Sequence, residues 1–176
     1  MLQIETLARV APGSDTETQL VTLLTDAYPE GAPDELQTYY AWPGVPDTTL
    51  LLRDGDSLVG HLAMFMREIL IGGEPYRVGL IGEVAVAPEH RRRGLARRLI
   101  MAAHQHLRSR SAPFAILFAF EPAVYVSSGY KPMRNEIRFL DRDRTWKTLV
   151  HRGGMYAELA DRPWPNEFID LRGPVV

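Results

Sequence analysis

The sequence predicts an α/β (α+β) fold, a mixed and mostly antiparallel sheet flanked by helices, and three observations carry that expectation. The first is a meander. Apolar stretches at residues 49–52, 58–71 and 76–86 are separated by Asp54-Gly55 and Gly72-Gly73, both good hairpin turns. The second is residues 82–100, where a β-branched run ends at Pro88 and a basic, Gly-containing turn opens directly into an amphipathic helix. The third is residues 114–120, short and wholly apolar, the pattern of a central strand buried on both faces. Strands in meander followed by β-α-β-α-β is the order that results.

Taken along the chain, residues 2–10 read as the first strand, with Leu2, Ile4, Leu7 and Val10 apolar. Pro12-Gly13 breaks it, and Ser14 or Asp15 suits the N-cap of a helix running to about Tyr28, with Leu20, Leu23, Leu24 and Ala27 on one side. Tyr28-Pro29-Glu30-Gly31 is a turn, a short helix follows from Pro33 to Tyr40, and Trp42 to Pro46 form a loop. After the basic turn, Leu95, Leu99, Ala103 and Leu107 recur every four residues and make one apolar helix face. A brief helix near Pro122–Ser128 leads to Gly129, then strands near Tyr130–Leu140 and Met155–Leu159.

Composition narrows the function classes. A chain of 176 residues, 45% hydrophobic and 24% charged, is expected to form a single domain over residues 1–176 with a sizeable core. Net charge is −2, which argues against nucleic acid as a partner; the basic run is local. Without cysteine there is neither a disulfide nor a thiol nucleophile. The first residues lack a basic and apolar signal pattern, and no stretch reaches the ~18 apolar residues that span a bilayer. A soluble cytoplasmic protein without membrane association is the expectation.

The basic turn suits an anion. The first N–H groups of a helix have no intrahelical acceptor, and the helix dipole is positive there. Arg91, Arg92, Arg93, Arg97 and Arg98 add charge, and Gly94 lets a ligand approach the backbone. A charge run with one glycine is usually only solvated surface. Here it follows Val-Ala-Val-Ala-Pro and precedes an apolar helical stripe, which favours a phosphate site. Neither a G-x-x-x-x-G-K-[ST] loop nor a G-x-G-x-x-G turn occurs anywhere in the chain.

The spacing Arg91-x-x-Gly94-x-Ala96 resembles the acyl-CoA pyrophosphate loop of the GCN5-related N-acetyltransferase (GNAT) superfamily, in the Ala variant of its last position. Residues 121–132, with Tyr125 four positions before Gly129-Tyr130, resemble the late motif of the same superfamily. The resemblance implies a sheet splayed at a β-bulge near Glu83-Val84 and acetyl-CoA (coenzyme A) as acyl donor. Val84, Ala85 and Val86 would pair with the pantetheine arm, and Arg91, Arg92, Arg93, Gly94, Leu95, Ala96 and Arg97 would hold the pyrophosphate. Tyr125 matches the family's general acid, a phenol that stays protonated near neutrality and can protonate a departing thiolate; its alternative is a core aromatic. Transfer is direct in a ternary complex, so neither Ser127 nor Ser128 need be a nucleophile.

The base is less defined. Glu83 is a candidate base or amine anchor, or else a solvated edge carboxylate, because a bulge breaks the alternation that would assign its face. Glu121 is the second candidate. His61 and His90 read as structural or surface groups, and no His/Asp/Glu set has metal-ligand spacing, so no metal is expected.

The acceptor is expected to be a small-molecule amine. Gly60-His-Leu-Ala-Met, Arg67-Glu-Ile-Leu-Ile and Glu83-Val-Ala-Val look like the bacterial aminoglycoside 2′-N-acetyltransferases, and residues 164–174 resemble the end of the rhizobial nodulation N-acyltransferases. An ungapped match to the aminoglycoside enzymes puts that subgroup's carboxylate at Gly82, one position before Glu83. Both resemblances imply an amino sugar, and Asp26, Glu30, Asp34 and Glu35 would suit a polycation. A protein or peptide amine and a non-catalytic acyl-CoA-binding module are the alternatives. The family resemblance also implies a homodimer.

Overall fold

Gly72 and Gly73, at φ +60° and +87°, form the two-residue turn that returns β3 (Ser57–Ile71) as β4 (Glu74–Val86). Both need the left-handed region, which glycine enters without a Cβ clash. The computed structural model describes residues 1–28 and 44–176. The expected helix at residues 33–40 lies outside them, as do most of the turn before it, the start of the loop after it, and Glu30, Asp34 and Glu35. The chain forms two compact units, Met1–Phe65 with Glu83–Ala103, and Met66–Gly82 with His104–Val176. Among the described residues no helix is long and apolar enough to cross a membrane.

In the first unit, β1 (Leu2–Leu7) pairs antiparallel with β2 (Thr48–Asp54), and β2 pairs antiparallel with β3. The first strand is shorter than residues 2–10 because Ala8 to Pro12 leave the ladder. Helix α1 (Asp15–Ala27) starts at Ser14, whose Oγ accepts from Glu17 N–H at 3.1 Å, while the Glu17 carboxylate accepts from Gly13 N–H at 2.6 Å. Ser14-x-x-Glu17 thus works as a variant capping box in which the reciprocal bond falls one residue early. Leu20, Leu23 and Leu24 are buried, as their spacing requires.

Helix α2 (Leu95–Ser109) passes through both units. All four residues of the expected stripe, Leu95, Leu99, Ala103 and Leu107, are buried. In the second unit α2 leads to β5 (Phe114–Phe118), which lies parallel to β4 with Gly79, Leu80 and Ile81 opposite Ala115, Ile116 and Leu117. A parallel pair needs a crossover, and the helix supplies it. β5 is buried at Phe114, Ala115, Ile116 and Leu117, the two-faced burial its apolar run implied.

After α3 (Ala123–Val126), the expected strand at residues 130–140 is two strands, β6 (Lys131–Pro132) and β7 (Glu136–Leu140). Between them Asn135 turns inward, and its amide donates to the carbonyls of Pro165 and Glu167 at 3.0 and 2.6 Å. β8 (Trp146–Val150), β9 (Gly154–Glu158) and β10 (Ile169–Pro174) follow. The strand order is β6-β9-β5-β4-β3-β10-β7-β8, mixed as expected, with β10 antiparallel to β3 and parallel to β7.

Gly79 shows how closely α2 lies on β4. A Cβ there would run into the side chain of Leu107, which is fully buried, so something must shift. Gly79→Ala is therefore expected to lower stability by about 1–3 kcal/mol, the usual cost of overpacking. Urea unfolding measures it, and an unchanged midpoint would mean the helix shifts freely.

Candidate active site

The last residues of β4 depart from regular strand geometry. Glu83 has φ +51°, a left-handed conformation that costs a non-glycine residue roughly 1–2 kcal/mol. Ala87 N–H donates to the Val59 carbonyl at 3.0 Å. A regular ladder continued from the two-residue turn at Gly72-Gly73 would set Val86, not Ala87, against Val59. The offset is what one inserted residue produces, and Glu83 is where the backbone absorbs it.

Side-chain donors hold this stretch. The Glu83 carbonyl accepts from His61 Nδ1 at 2.7 Å, the Val84 carbonyl from the Tyr28 hydroxyl at 2.8 Å, and the Val86 carbonyl from Arg91 Nε at 3.0 Å. A carbonyl oxygen has two lone pairs, so each retains capacity for a second donor. The carbonyls of Val84 and Val86 are thus engaged, not bare as a free pantetheine platform would be. Val84 is half-buried, whereas Ala85 and Val86 are buried.

Beyond a single 3-10 turn at Pro88–His90, the loop uses two left-handed residues, Arg92 at φ +58° and Gly94 at φ +74°. A Cβ built on Gly94 meets nothing within 4 Å, so the backbone there faces open space. The first bond of α2 runs from Arg98 N–H to the Gly94 carbonyl at 3.0 Å, and the N–H groups ahead of it have no acceptor within the helix. The arginines are all exposed and differ in what they bond: Arg91 Nε donates to the Val86 carbonyl at 3.0 Å and Arg98 Nη2 to the Leu2 carbonyl at 3.0 Å, whereas Arg92 and Arg93 flank the left-handed turn. His90 Nδ1 is buried with no hydrogen-bond partner among the described residues.

Burial pushes the Glu83 carboxyl up to about 8. A carboxyl so placed is half ionised only near pH 8, and above that it is a stronger base than an ordinary carboxylate. Glu121, by contrast, is exposed.

In the second unit Tyr125 sits on α3, half-buried, with its ring edge-on to Tyr130 at 6.0 Å between centroids and 78° between planes. Burial, and secondarily the charge of Glu121, raise its phenol above the ordinary value, so it keeps its proton at neutral pH. Tyr130 is buried, and its hydroxyl lies 3.0 Å from His104 Nε2. Burial, with Arg108 adding to it, lowers His104 to about 4, so the pair is a neutral support under the Tyr125 ring. Ser128 Oγ is buried with no hydrogen-bond partner among the described residues, so no base is bonded to it.

A family model described as "Acetyltransferase (GNAT) domain" matches residues 11–133, which contain the loop, Glu83 and Tyr125. The chain belongs to the GNAT acetyltransferase family. An uncharacterized N-acetyltransferase of Streptomyces avermitilis is 35% identical to this GNAT chain over 85 residues, 48% of the chain and 21% of the relative. The N-acetyltransferase Eis of Mycobacterium tuberculosis is 35% identical over 91 residues, 49% of the chain and 23% of Eis. The chain thus spans about a quarter of the length of these curated relatives. Among solved structures, the GNAT protein YhbS of Escherichia coli, crystallised with CoA, superposes with a TM-score of 0.67 at 15% identity, covering 97% of this chain and 91% of that one. A GNAT acetyltransferase of Brucella melitensis in complex with acetyl-CoA gives 0.62 at 15% identity, over 95% and 94%. These two likenesses show the GNAT fold.

Two residues that bond the end of β4 escaped sequence reasoning. Tyr28 is 56 positions from the carbonyl it bonds, and nothing local marks it. His61 read as structural, which its burial supports, but its bond to Glu83 across 22 positions carried no signal beyond a polar ring in an apolar strand. Among the described residues no three His, Cys, Asp or Glu side chains come together as a metal site would require.

Proposed function

We propose that this domain catalyses direct transfer of an acetyl group from acetyl-CoA to the primary amine of a small molecule. The observation that carries the reading is the open turn before α2, with Arg92 and Gly94 left-handed and the first helix N–H groups, of Leu95 and Ala96, without an acceptor inside the helix. That geometry suits a pyrophosphate, with Arg92 and Arg93 exposed to add charge. Acetyl-CoA supplies the activated acyl group as a thioester. Val84, Ala85 and Val86 offer backbone to the pantetheine amides, and Arg91 through Arg97 hold the pyrophosphate.

Two groups move protons. The Glu83 carboxylate takes the proton that the amine sheds as its C–N bond forms, and Tyr125 gives its phenolic proton to the sulfur as the C–S bond breaks. Their states support these roles as pH reaches about 8, where Glu83 ionises to a strong carboxylate base while Tyr125 stays protonated. The likeness of residues 60–86 and 164–174 to amino-sugar acyltransferases favours an amino sugar or aminoglycoside as acceptor. We place the enzyme in the cytoplasm, and a homodimer remains the family-based expectation.

Free thiol release from acetyl-CoA, measured against aminoglycosides, polyamines, amino acids and short peptides, tests the reading. Release above hydrolysis with one amine class establishes the reaction and its acceptor. Tight CoA binding with no release from any amine would replace it with a non-catalytic CoA-binding module, and release with peptides alone would move the acceptor to protein amines.

Glu83→Gln carries a prediction with a definite sign. The folded carboxyl keeps its proton up to about 8, while an ordinary one loses it near 4.5. Folded protein therefore binds more protons than unfolded chain between those values, and stability falls as pH rises through that window. Glutamine cannot ionise, so the variant is expected to lose less stability than wild type between pH 5 and 9. Its turnover should fall about 100-fold, with loss of the rise in rate near pH 8. Urea midpoints at the two pH values and a pH–rate profile check both. An unchanged profile would hand the base role to another group.

A further inference from the structure

His61 is fully buried on β3, opposite Leu51 of β2, and its Nδ1 lies 2.7 Å from the backbone carbonyl of Glu83. A carbonyl can only accept, so Nδ1 carries the hydrogen and the tautomer at that nitrogen is decided. Burial lowers His61 to about 4, against a smaller opposing effect of the Glu83 bond, so the ring is neutral at working pH. The carbonyl it grips belongs to the one residue of β4 outside glycine with a positive φ, +51°. A side chain in that region is disfavoured and persists only where its surroundings determine it. The Tyr28 hydroxyl holds the next carbonyl, Val84, at 2.8 Å, so the inserted residue is pinned on consecutive peptide units.

We propose that His61 is a positioning residue, whose Nδ1–H clamps the Glu83 carbonyl, holds Glu83 left-handed, and so sets both the direction of the Glu83 carboxyl and the run of β4 offered to the pantetheine arm. The inference rests on the reading of Glu83 and β4 given under the proposed function. A buried histidine that only filled space would leave the conformation of Glu83 untouched. The clamp acts on the backbone, so a residue that needs no clamp should make it dispensable. Glycine at position 83 is such a residue, since it adopts positive φ freely.

Three variants test this, His61→Leu, His61→Asn, and His61→Leu combined with Glu83→Gly. The readouts are CoA affinity by calorimetry, kcat for acetyl transfer, and the one-bond Cα–Hα coupling of residue 83 by NMR, which separates positive from negative φ. His61→Leu removes the donor in a similar volume; it is expected to shift the coupling, weaken CoA binding about tenfold and lower kcat about tenfold. His61→Asn keeps an N–H donor near the Nδ1 position and should retain the wild-type coupling and most of the affinity. The double variant should regain CoA affinity without regaining kcat. A wild-type coupling and affinity in His61→Leu would overturn the proposal, as would a double variant that binds CoA no better than His61→Leu. If His61→Leu does not fold, His61→Asn decides: a wild-type coupling supports the clamp and a shifted one overturns it. Should wild type bind CoA without transferring acetyl, the enzymatic reading fails while coupling and affinity still judge the clamp.

Discussion

Gly94→Val is expected to raise the dissociation constant for CoA at least about 100-fold. Gly94 has φ +74°, and valine, branched at Cβ, is among the residues least able to take a left-handed conformation. The residue must then flip, which turns the neighbouring N–H groups away from the position of the pyrophosphate. A factor of 100 is about 2.7 kcal/mol. Losing one or two hydrogen bonds to a charged group, each worth about 1.5–3 kcal/mol, accounts for that. Nothing lies within 4 Å of a Cβ at this position, so the fold itself should tolerate the change. A melting temperature near wild type with CoA binding lost, by calorimetry, is the expected pair of results. Undiminished affinity would remove the turn before α2 as the phosphate site.

Tyr125→Phe is expected to lower kcat about 100-fold while leaving CoA affinity nearly unchanged, the loss typical of removing one general acid. Phenylalanine keeps the ring, and with it the edge-on contact to Tyr130 at 6.0 Å, so packing is preserved and only the proton is lost. Because the phenol is raised above its ordinary value by burial, wild-type rates should show no decline from its ionisation below about pH 10. Steady-state rates and separately measured CoA affinity check both statements. Full retained turnover would leave Tyr125 as a core aromatic, with Tyr130 and His104 beneath it as ordinary packing.

The parts of the fold and site legible in the sequence are those encoded by neighbours along the chain. Gly72-Gly73 marks its own turn, Leu95 to Leu107 mark a helix face, and Pro88 to Ala96 mark a strand end, loop and helix start within nine residues. Each rests on a backbone period or a φ restriction that acts over a few positions. β8 and β10 were not legible. β8 follows the charged turn at residues 141–145 and is mostly exposed, so it lacks the alternation that one buried face imposes. β10 ends in Gly-Pro and pairs with β3 and β7, strands far away in sequence. The break at Asn135 depends on carbonyls some 30 residues on, which no local pattern announces.

The same division runs through the candidate site. The order of its residues determined the family and marked the candidate phosphate turn and the candidate acid, because a strand–loop–helix start is a local solution to binding an anion. The state of Glu83 was decided by the tertiary structure. Its face could not be counted from parity once a residue was inserted; its raised pKa comes from burial, and its carbonyl is bonded by His61, 22 positions away. Likewise five arginines in a row of eight read alike as sequence, and only folding shows that Arg91 and Arg98, as exposed as the rest, reach backbone carbonyls of Val86 and Leu2. Local propensity is written in consecutive residues, whereas desolvation and long-range hydrogen bonds exist only once distant segments are brought together.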